Sequence, residues 1–168
     1  MIMPDMISER GIKMKFAGTV VAVSDIGKAK DFYINLMGLK IEMDLGKYVA
    51  FEGGFSMHAD YPELVGVDLK VMRESNNFEL YFEVLDIDEL RVRIDDAGGA
   101  DFIHDIREEP WKQKVMRLYD PDRHIVEVAE NMGVTAKRLL SQGLTMDQVS
   151  EQTMFPKEVL EYMINTIG

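Results

Sequence analysis

The feature that most constrains this chain is an internal repeat with an offset of 61 residues. The positions that coincide are Val23 with Val84, Asp25 with Asp86, Ile26 with Ile87, Ala29 with Leu90, Tyr33 with Ile94 and Gly38 with Gly99. They cover the end of a strand, a helix cap, one helix face and a helix stop, which is a combination that chance rarely gives. Each copy follows the order strand, helix, strand, strand, strand. The sequence therefore predicts two copies of one βαβββ unit.

The first copy begins with residues 16–23, which are apolar and rich in β-branched side chains, as is typical of a strand buried on both faces. Ser24 and Asp25 are favourable helix N-caps, and apolar residues at helical spacing then predict a helix that ends at Gly38. Three short strands are expected next. They lie at about 39–44, 47–52 and 54–59.

The connection between the copies spans residues 60–77. We expect Tyr61-Pro62 to open a loop here. Val65, Val67, Leu69 and Val71 alternate with polar or small residues, which favours an extended arm or an edge strand.

The second copy starts with a two-faced strand, in which Leu80, Phe82 and Val84 alternate with Glu79, Tyr81 and Glu83. Asp86 is expected to start a helix, and Gly98-Gly99 to stop it. Three more strands are expected at about 101–107, 113–119 and 124–129.

The chain continues beyond the repeat with a helical pattern. We expect helices at 134–142 and 146–152, the second capped by Thr145, and a third that opens at Phe155-Pro156. Three short helices of this kind resemble a helix-turn-helix unit, and the alternative, which the charge of the tail favours, is a clasp over the cavity or a dimer contact.

The two copies resemble the vicinal-oxygen-chelate superfamily, which includes glyoxalase I and the fosfomycin-resistance and bleomycin-resistance proteins. The matching motifs are Val23-Ser24-Asp25-Ile26, Asp31-Phe32-Tyr33, Met37-Gly38-Leu39, Pro110-Trp111 and residues 119–128. The resemblance implies an α+β fold, with two βαβββ modules that form a curved mixed sheet of paired half-barrels and a small C-terminal helical bundle. The expected parts are an N-terminal extension (1–13), a two-module domain (14–130, with module 1 at about 14–60 and module 2 at about 77–130) and a three-helix tail (131–168).

The resemblance also implies a metal position. In metal-dependent members the ligands lie on the first and fourth strands of each module, and these points correspond to Gly18, His58, Glu79 and Glu127. Glycine has no side chain to coordinate a metal, and Glu79 stands where the resemblance implies histidine.

Two interpretations of these residues remain open. In one, His58, Glu79 and Glu127 hold one divalent ion (Zn, Ni, Mn or Fe), and Glu79 or Glu127 acts as a catalytic carboxylate that moves a proton. In the other, the metal has been lost, no cofactor is bound, and the two carboxylates line a polar cavity.

Candidate ligand-binding residues are aromatic or charged. Trp111 is the only tryptophan, and the resemblance implies that its loop borders the mouth of a cavity, where the ring could stack on a ligand. Tyr81 and Tyr48 are further candidates. Arg117 is the expected partner of Glu127, because an unpaired buried carboxylate is costly. A structural ion pair and a ligand-binding role both remain open for this pair.

Composition excludes several classes of function. The chain has no cysteine, so it has neither a thiol nucleophile nor a zinc site built on sulfur. Its net charge of −11 repels nucleic acid and anionic membranes and favours a cationic ligand. No apolar run approaches the roughly 18 residues of a membrane span. Asp5, Glu9 and Arg10 interrupt the start, unlike in a secretory signal, so a cytoplasmic location is expected.

Three functions are consistent with the sequence, which leaves open whether the protein is an enzyme. The first is a homodimeric glyoxalase/bleomycin-resistance-like protein that binds a small cationic or hydroxyl-rich molecule, with a degenerate or absent metal site. The second is a divalent-metal-dependent lyase or isomerase of glyoxalase type. The third is a ligand-responsive transcriptional regulator that uses the tail. The helix beginning Pro156-Lys157-Glu158 offers no Arg, Asn or Gln near its start for base edges, which argues against DNA.

Overall fold

The computed structural model describes residues 14–167, so the N-terminal extension expected at 1–13 lies outside the described residues. The first module contains β1 (Thr19–Val23), α1 (Ile26–Lys30) continuing as a π-helical segment (Asp31–Leu36), β2 (Ile41–Asp44), β3 (Tyr48–Phe51), β4 (Phe55–Ala59) and then α2 (Tyr61–Val65). The second contains β5 (Glu79–Val84), α3 (Ile87–Asp96), β6 (Asp101–Glu108), β7 (Lys114–Tyr119) and β8 (Ile125–Glu130). The tail contains α4 (Met132–Ser141), α5 (Met146–Thr153) and α6 (Lys157–Thr166).

The two modules have the same sheet topology. Their strand orders are β1-β4-β3-β2 and β5-β8-β7-β6. In each sheet the first strand of the module pairs in parallel with the last, and the other pairs are antiparallel. This confirms the α+β class, the paired βαβββ modules and the C-terminal helices.

The helix caps explain why the aspartates of the repeat coincide. Asp25 accepts hydrogen bonds from the Gly27 and Lys28 amides at 2.9 and 3.1 Å. Asp86 accepts one from the Glu89 amide at 2.8 Å. Each aspartate thus satisfies an amide that has no partner inside its helix, and so fixes where the helix begins.

Two expectations about local structure were wrong. Tyr61-Pro62 starts the short helix α2 rather than a loop, because proline is well tolerated in the first helical turn, where its missing N–H is not needed. Residues 66–78, where an extended arm or an edge strand was expected, contain no strand. Their apolar residues, such as Val67 and Val71, are exposed. Alternation without a neighbouring strand to pair with does not make a strand.

The first strand is also shorter than expected. It begins at Thr19 rather than at residue 16, because its parallel partner β4 begins at Phe55, which is the residue opposite Thr19.

One hydrophobic core joins the helix-facing sides of both modules. At its centre is Tyr33, whose side chain is fully buried. The ring of Tyr33 lies 4.9 Å from that of Phe55 and 6.5 Å from that of Phe82, which belongs to the second module. A smaller core lies within the tail and includes Trp111 at its edge. Within residues 14–167, no helix has the length and apolar character needed to cross a bilayer.

Candidate functional site

The second sheet carries a cluster of charged residues around Arg117. Its guanidinium donates from Nε to Glu79 Oε2 at 3.0 Å, approaches Glu109 Oε1 at 3.4 Å and contacts the Glu127 carboxylate through Nη2. Nη1 lies 3.1 Å from Nε2 of His104. Arg117 stands opposite Glu127 on β8 and opposite His104 on β6. The ion pair expected between Arg117 and Glu127 therefore forms.

Burial and the neighbouring arginines shift the pKa values of two carboxyl groups in this cluster in opposite directions. Only 6% of Glu127 is exposed, and burial raises its pKa, although Arg117 acts in the opposite direction. Burial also opposes the charge of Glu109, but Arg107 and Arg117 outweigh it and hold the pKa of this carboxyl below its usual value. One guanidinium is thus shared by three carboxylates on a partly buried face.

A cavity of about 440 Å³ lies between the second sheet, the 109–113 loop and the tail. Its lining consists of Tyr81, Glu83, Trp111, Gln113, Met132, Thr153, Met154, Phe155 and Met163. The Trp111 indole donates to Gln113 Oε1 at 2.8 Å, and Gln113 Nε2 donates to the Glu130 carbonyl at 2.7 Å. These bonds fix the indole at the wall of the cavity.

Tyr81 connects the cavity to the Arg117 cluster. It lies on β5 directly opposite Glu127 on β8. Its hydroxyl donates to Glu83 Oε1 at 2.9 Å. Burial and this hydrogen bond raise the pKa of Tyr81 to about 12, so the phenol keeps the proton that it donates to Glu83 even at alkaline pH.

The structure places the remaining candidates on the first sheet. Tyr48 and His58 face each other across β3 and β4, with ring centroids 6.2 Å apart. Nδ1 of His58 lies against the Ala59 carbonyl oxygen. Among residues 14–167, no hydrogen bond or ion pair joins either of them to the Arg117 cluster or to the cavity. The candidates therefore form two groups, Glu79–Arg117–Glu127 and Tyr81–Trp111, with Tyr48 and His58 apart.

The residues expected to bind a metal do not fit a metal within one chain. In the described part of the chain, no three His, Asp or Glu side chains are placed to hold an ion. Both carboxylates of the expected set are engaged by Arg117. A Cβ atom at Gly18 would overlap the carbonyl of Gly54, and φ at Gly18 is +152°, so a coordinating side chain is excluded at the first point.

Several site residues were not expected from the sequence. His104 is one of them: it lies opposite Arg117 and joins the Arg117 cluster. The sequence did not predict this pairing, because two register shifts interrupt the β6–β7 ladder around His104. Glu109 and Gln113 flank Trp111, and their closeness to Trp111 in the sequence is the one signal that could have identified them as site residues. Glu83 has the same alternation as Glu79 and Tyr81, which is a signal consistent with a site but equally with a solvated sheet face.

Fold and sequence together assign the chain to a class. Residues 16–133 match the model of the glyoxalase-like domain family. The chain belongs to this family, and hence to the vicinal-oxygen-chelate superfamily.

Solved structures agree with this assignment. A protein of unknown function from Agrobacterium tumefaciens str. C58 is 36% identical, with a TM-score of 0.63 over 71% of this chain and 95% of that chain. A glyoxalase/bleomycin resistance protein/dioxygenase family enzyme from Burkholderia phytofirmans PsJN is 19% identical (TM-score 0.56, 70% and 98%). A lactoylglutathione lyase from Agrobacterium tumefaciens is 20% identical (TM-score 0.52, 70% and 94%), and these last two show the fold alone. Among curated proteins, none is similar enough to this chain to count as a match.

Proposed function

We propose that this protein binds a small molecule in the cavity between the second sheet and the tail. The observation that carries the proposal is the cavity of about 440 Å³, within the size range of small-molecule sites. Three aromatic side chains, Tyr81, Trp111 and Phe155, line it beside a few polar groups. Such a combination gives stacking area together with fixed hydrogen-bond donors and acceptors.

The Arg117 cluster lies beside this site, because Glu127 is directly opposite Tyr81, although the residues of the cluster do not line the cavity itself. Glu79 is on the same strand as Tyr81, Glu127 is opposite Tyr81 on β8, and Arg117 reaches both carboxylates from β7. They could bind hydroxyl or charged groups of a ligand whose ring lies beside Tyr81. If the protein is an enzyme, Glu127 is the candidate for proton transfer, because its raised pKa brings it closer to neutral pH.

We further propose a homodimer in the cytoplasm. The support for self-association is that both edge strands of the first sheet expose large apolar side chains, Val20 on β1 and Ile41 and Met43 on β2, which are 44, 42 and 50% exposed. Exposed apolar side chains of this kind can be buried by a second copy. Sedimentation of the purified chain tests the dimer, and cell fractionation tests the location.

For the protein to act as a glyoxalase-type lyase or isomerase, the expected metal ligands would need partners other than those they have in this structure. Glu79 and Glu127 would have to exchange Arg117 for a divalent ion, and His58 would have to come from elsewhere, such as a second copy. Titration with Zn²⁺, Ni²⁺, Mn²⁺ and Fe²⁺ tests this alternative: tight binding that Glu127→Ala abolishes would favour it. Retention on DNA at moderate salt would favour a regulator instead.

The proposed function is tested by a ligand screen with a matched control. Compounds with aromatic rings are added to the wild type, to Tyr81→Ala and to Tyr162→Ala, whose target is an exposed tyrosine outside the cavity. A binder should raise the melting temperature of the wild type and of Tyr162→Ala, and much less that of Tyr81→Ala. A panel without stabilising compounds, or equal shifts in all three proteins, would contradict the proposal.

A further inference from the structure

The carboxylate of Glu83 borders the cavity without a cationic partner. It accepts hydrogen bonds from the Tyr81 hydroxyl and from Asn131 Nδ2 at 2.9 and 2.8 Å, and both donors are neutral. Among the described residues, Glu83 forms no ion pair, and no Lys, Arg or His lines this cavity. Its negative charge is therefore held in place but not neutralised.

The neighbouring carboxylates differ from Glu83 in this respect. Glu79 and Glu127 share Arg117, and Glu130 pairs with Arg138 at 3.0 Å. The fixed charge that faces the cavity is thus that of Glu83.

The rest of the lining suits a flat, polarizable ligand. Three methionines, Phe155 and Trp111 surround the space beside Tyr81. Thioether and aromatic surfaces adapt to aromatic ligands, and the faces of aromatic rings attract cations. Thr153, Met154, Phe155 and Met163 come from the part of the tail that lies beyond residues 16–133, which match the family model. This part of the site is therefore contributed from outside the family domain.

We infer that Glu83 is a specificity-determining residue, which selects an aromatic organic cation for the cavity between the second sheet and the tail. The ring system would lie beside Tyr81 and Trp111, with its positive charge toward the Glu83 carboxylate. This inference rests on the proposed small-molecule function.

A second cavity provides the control for this inference. It measures about 450 Å³ and also borders on Glu83, but its lining includes Arg93 and Glu89. The guanidinium of Arg93 supplies a positive charge there, which disfavours a cation. Glu89 lines this second cavity and not the first, so Glu89→Gln changes the net charge as Glu83→Gln does and leaves the first cavity intact.

The test compares two probes of the same shape, N-methylquinolinium and its neutral isostere 1-methylnaphthalene. Calorimetric titration of the wild type should show tighter binding of the cation. Glu83→Gln should weaken binding of the cation by about fivefold or more and leave the affinity for the neutral probe unchanged. Glu89→Gln should bind both probes as the wild type does. The preference of the wild type should also fall when the salt concentration rises, a readout that needs no variant.

The outcomes separate this inference from the proposed function. Equal affinities for the two probes, or a loss of cation binding in Glu89→Gln as large as in Glu83→Gln, would overturn the role of Glu83 and leave the cavity as a ligand site. Absence of binding by either probe to the wild type would overturn the inference, and silence in the wider screen would overturn the proposed function as well.

Discussion

The hydroxyl of Tyr33 donates a 2.6 Å hydrogen bond to the buried carboxylate of Asp120 and thereby joins the first module to the second. Asp120 also accepts from the backbone amides of Asp122 and His124 at 2.9 and 2.8 Å. The Asp122 carboxylate in turn accepts from the Ser24 amide of the first module at 2.9 Å. The turn before β8 therefore connects the two halves of the fold.

Removal of the Tyr33 hydroxyl should destabilise the protein. Tyr33→Phe keeps the aromatic packing but deprives a buried carboxylate of a donor, which typically costs about 1.5–3 kcal/mol in the free energy of unfolding. Urea denaturation at pH 8 measures this cost. Tyr162→Phe, at an exposed position, is the control and should change stability little.

The stabilities of the wild type and of Tyr33→Phe should depend differently on pH in the alkaline range. Burial, together with the charges of Asp120 and Asp122, raises the pKa of Tyr33 well above its ordinary value. In the unfolded chain the same tyrosine ionises near pH 10. The native state then binds the proton more tightly, so this contribution is present below pH 10 and is lost as pH rises toward the folded pKa. The stability gap between the wild type and Tyr33→Phe should narrow above pH 10. A constant gap would contradict this reasoning.

Loss of Arg117 should leave the carboxylates of its cluster unpaired. We expect Arg117→Met to lower the free energy of unfolding by about 3 kcal/mol at pH 7. Burial of Glu127 already raises the pKa of this residue, and removal of the Arg117 guanidinium should raise that pKa further. A raised folded pKa gives stability at low pH that is lost as pH rises, so the variant should recover stability as pH falls from 7 toward the ordinary pKa of glutamate.

The matched control for this experiment is Arg91→Met, because the partners of Arg91, Asp95 and Asp105, are largely exposed. This substitution should cost less, and its effect should not diminish between pH 7 and pH 5. A cost at Arg117 no larger than that at Arg91 would contradict the importance of burial in the cluster.

The backbone at Gly18 should not accept a coordinating side chain. Both Gly18 and Gly53 have a positive φ, but a Cβ at Gly53 would meet nothing within 4 Å. Gly53→Ala should therefore cost about 1–2 kcal/mol through backbone strain. Gly18→Ala, which adds a steric overlap with Gly54, should cost about 3 kcal/mol or more by chemical denaturation. Gly18→His should likewise be destabilised and should not gain zinc affinity; a stable, zinc-binding variant would refute this explanation of the glycine.

Gly133 allows α4 and α6 to approach each other. A Cβ at this position would lie 2.7 Å from the Met163 carbonyl oxygen and 2.5 Å from Cδ1 of Ile167. Gly133→Ala should cost about 1–3 kcal/mol and displace α6 from the cavity wall. Because Trp111 is the only tryptophan and packs against the tail, its fluorescence should shift to longer wavelength. Ser141→Ala, at an exposed position in α4, should leave the emission unchanged.

The parts of the fold that depend on local pattern could be predicted from the sequence. Asp25 and Asp86 could be identified as helix caps because capping requires only nearby backbone amides. The pair of Arg117 and Glu127 could be expected because a short turn joins β7 and β8 and so fixes their register.

The cavity depended on packing that no local pattern encodes. Met163 reaches the wall that Trp111 and Tyr81 form only because α6 folds back on α4, which needs the small residue at Gly133. The sequence repeat could not show that His58 and Glu127 lie in different groups of residues, because an offset in sequence does not specify how the two sheets are placed in space. The role that we propose for Glu83 could not be predicted either, because it depends on the cavity that the tail forms with the second sheet.

The most direct test of the central claim is a crystal structure of the protein with N-methylquinolinium at a saturating concentration. We predict that the ring system lies between the side chains of Tyr81 and Trp111, with the charged nitrogen toward Glu83. A structure in which the ligand occupies another site, such as the first sheet beside Tyr48, while this cavity holds none, would contradict the claim.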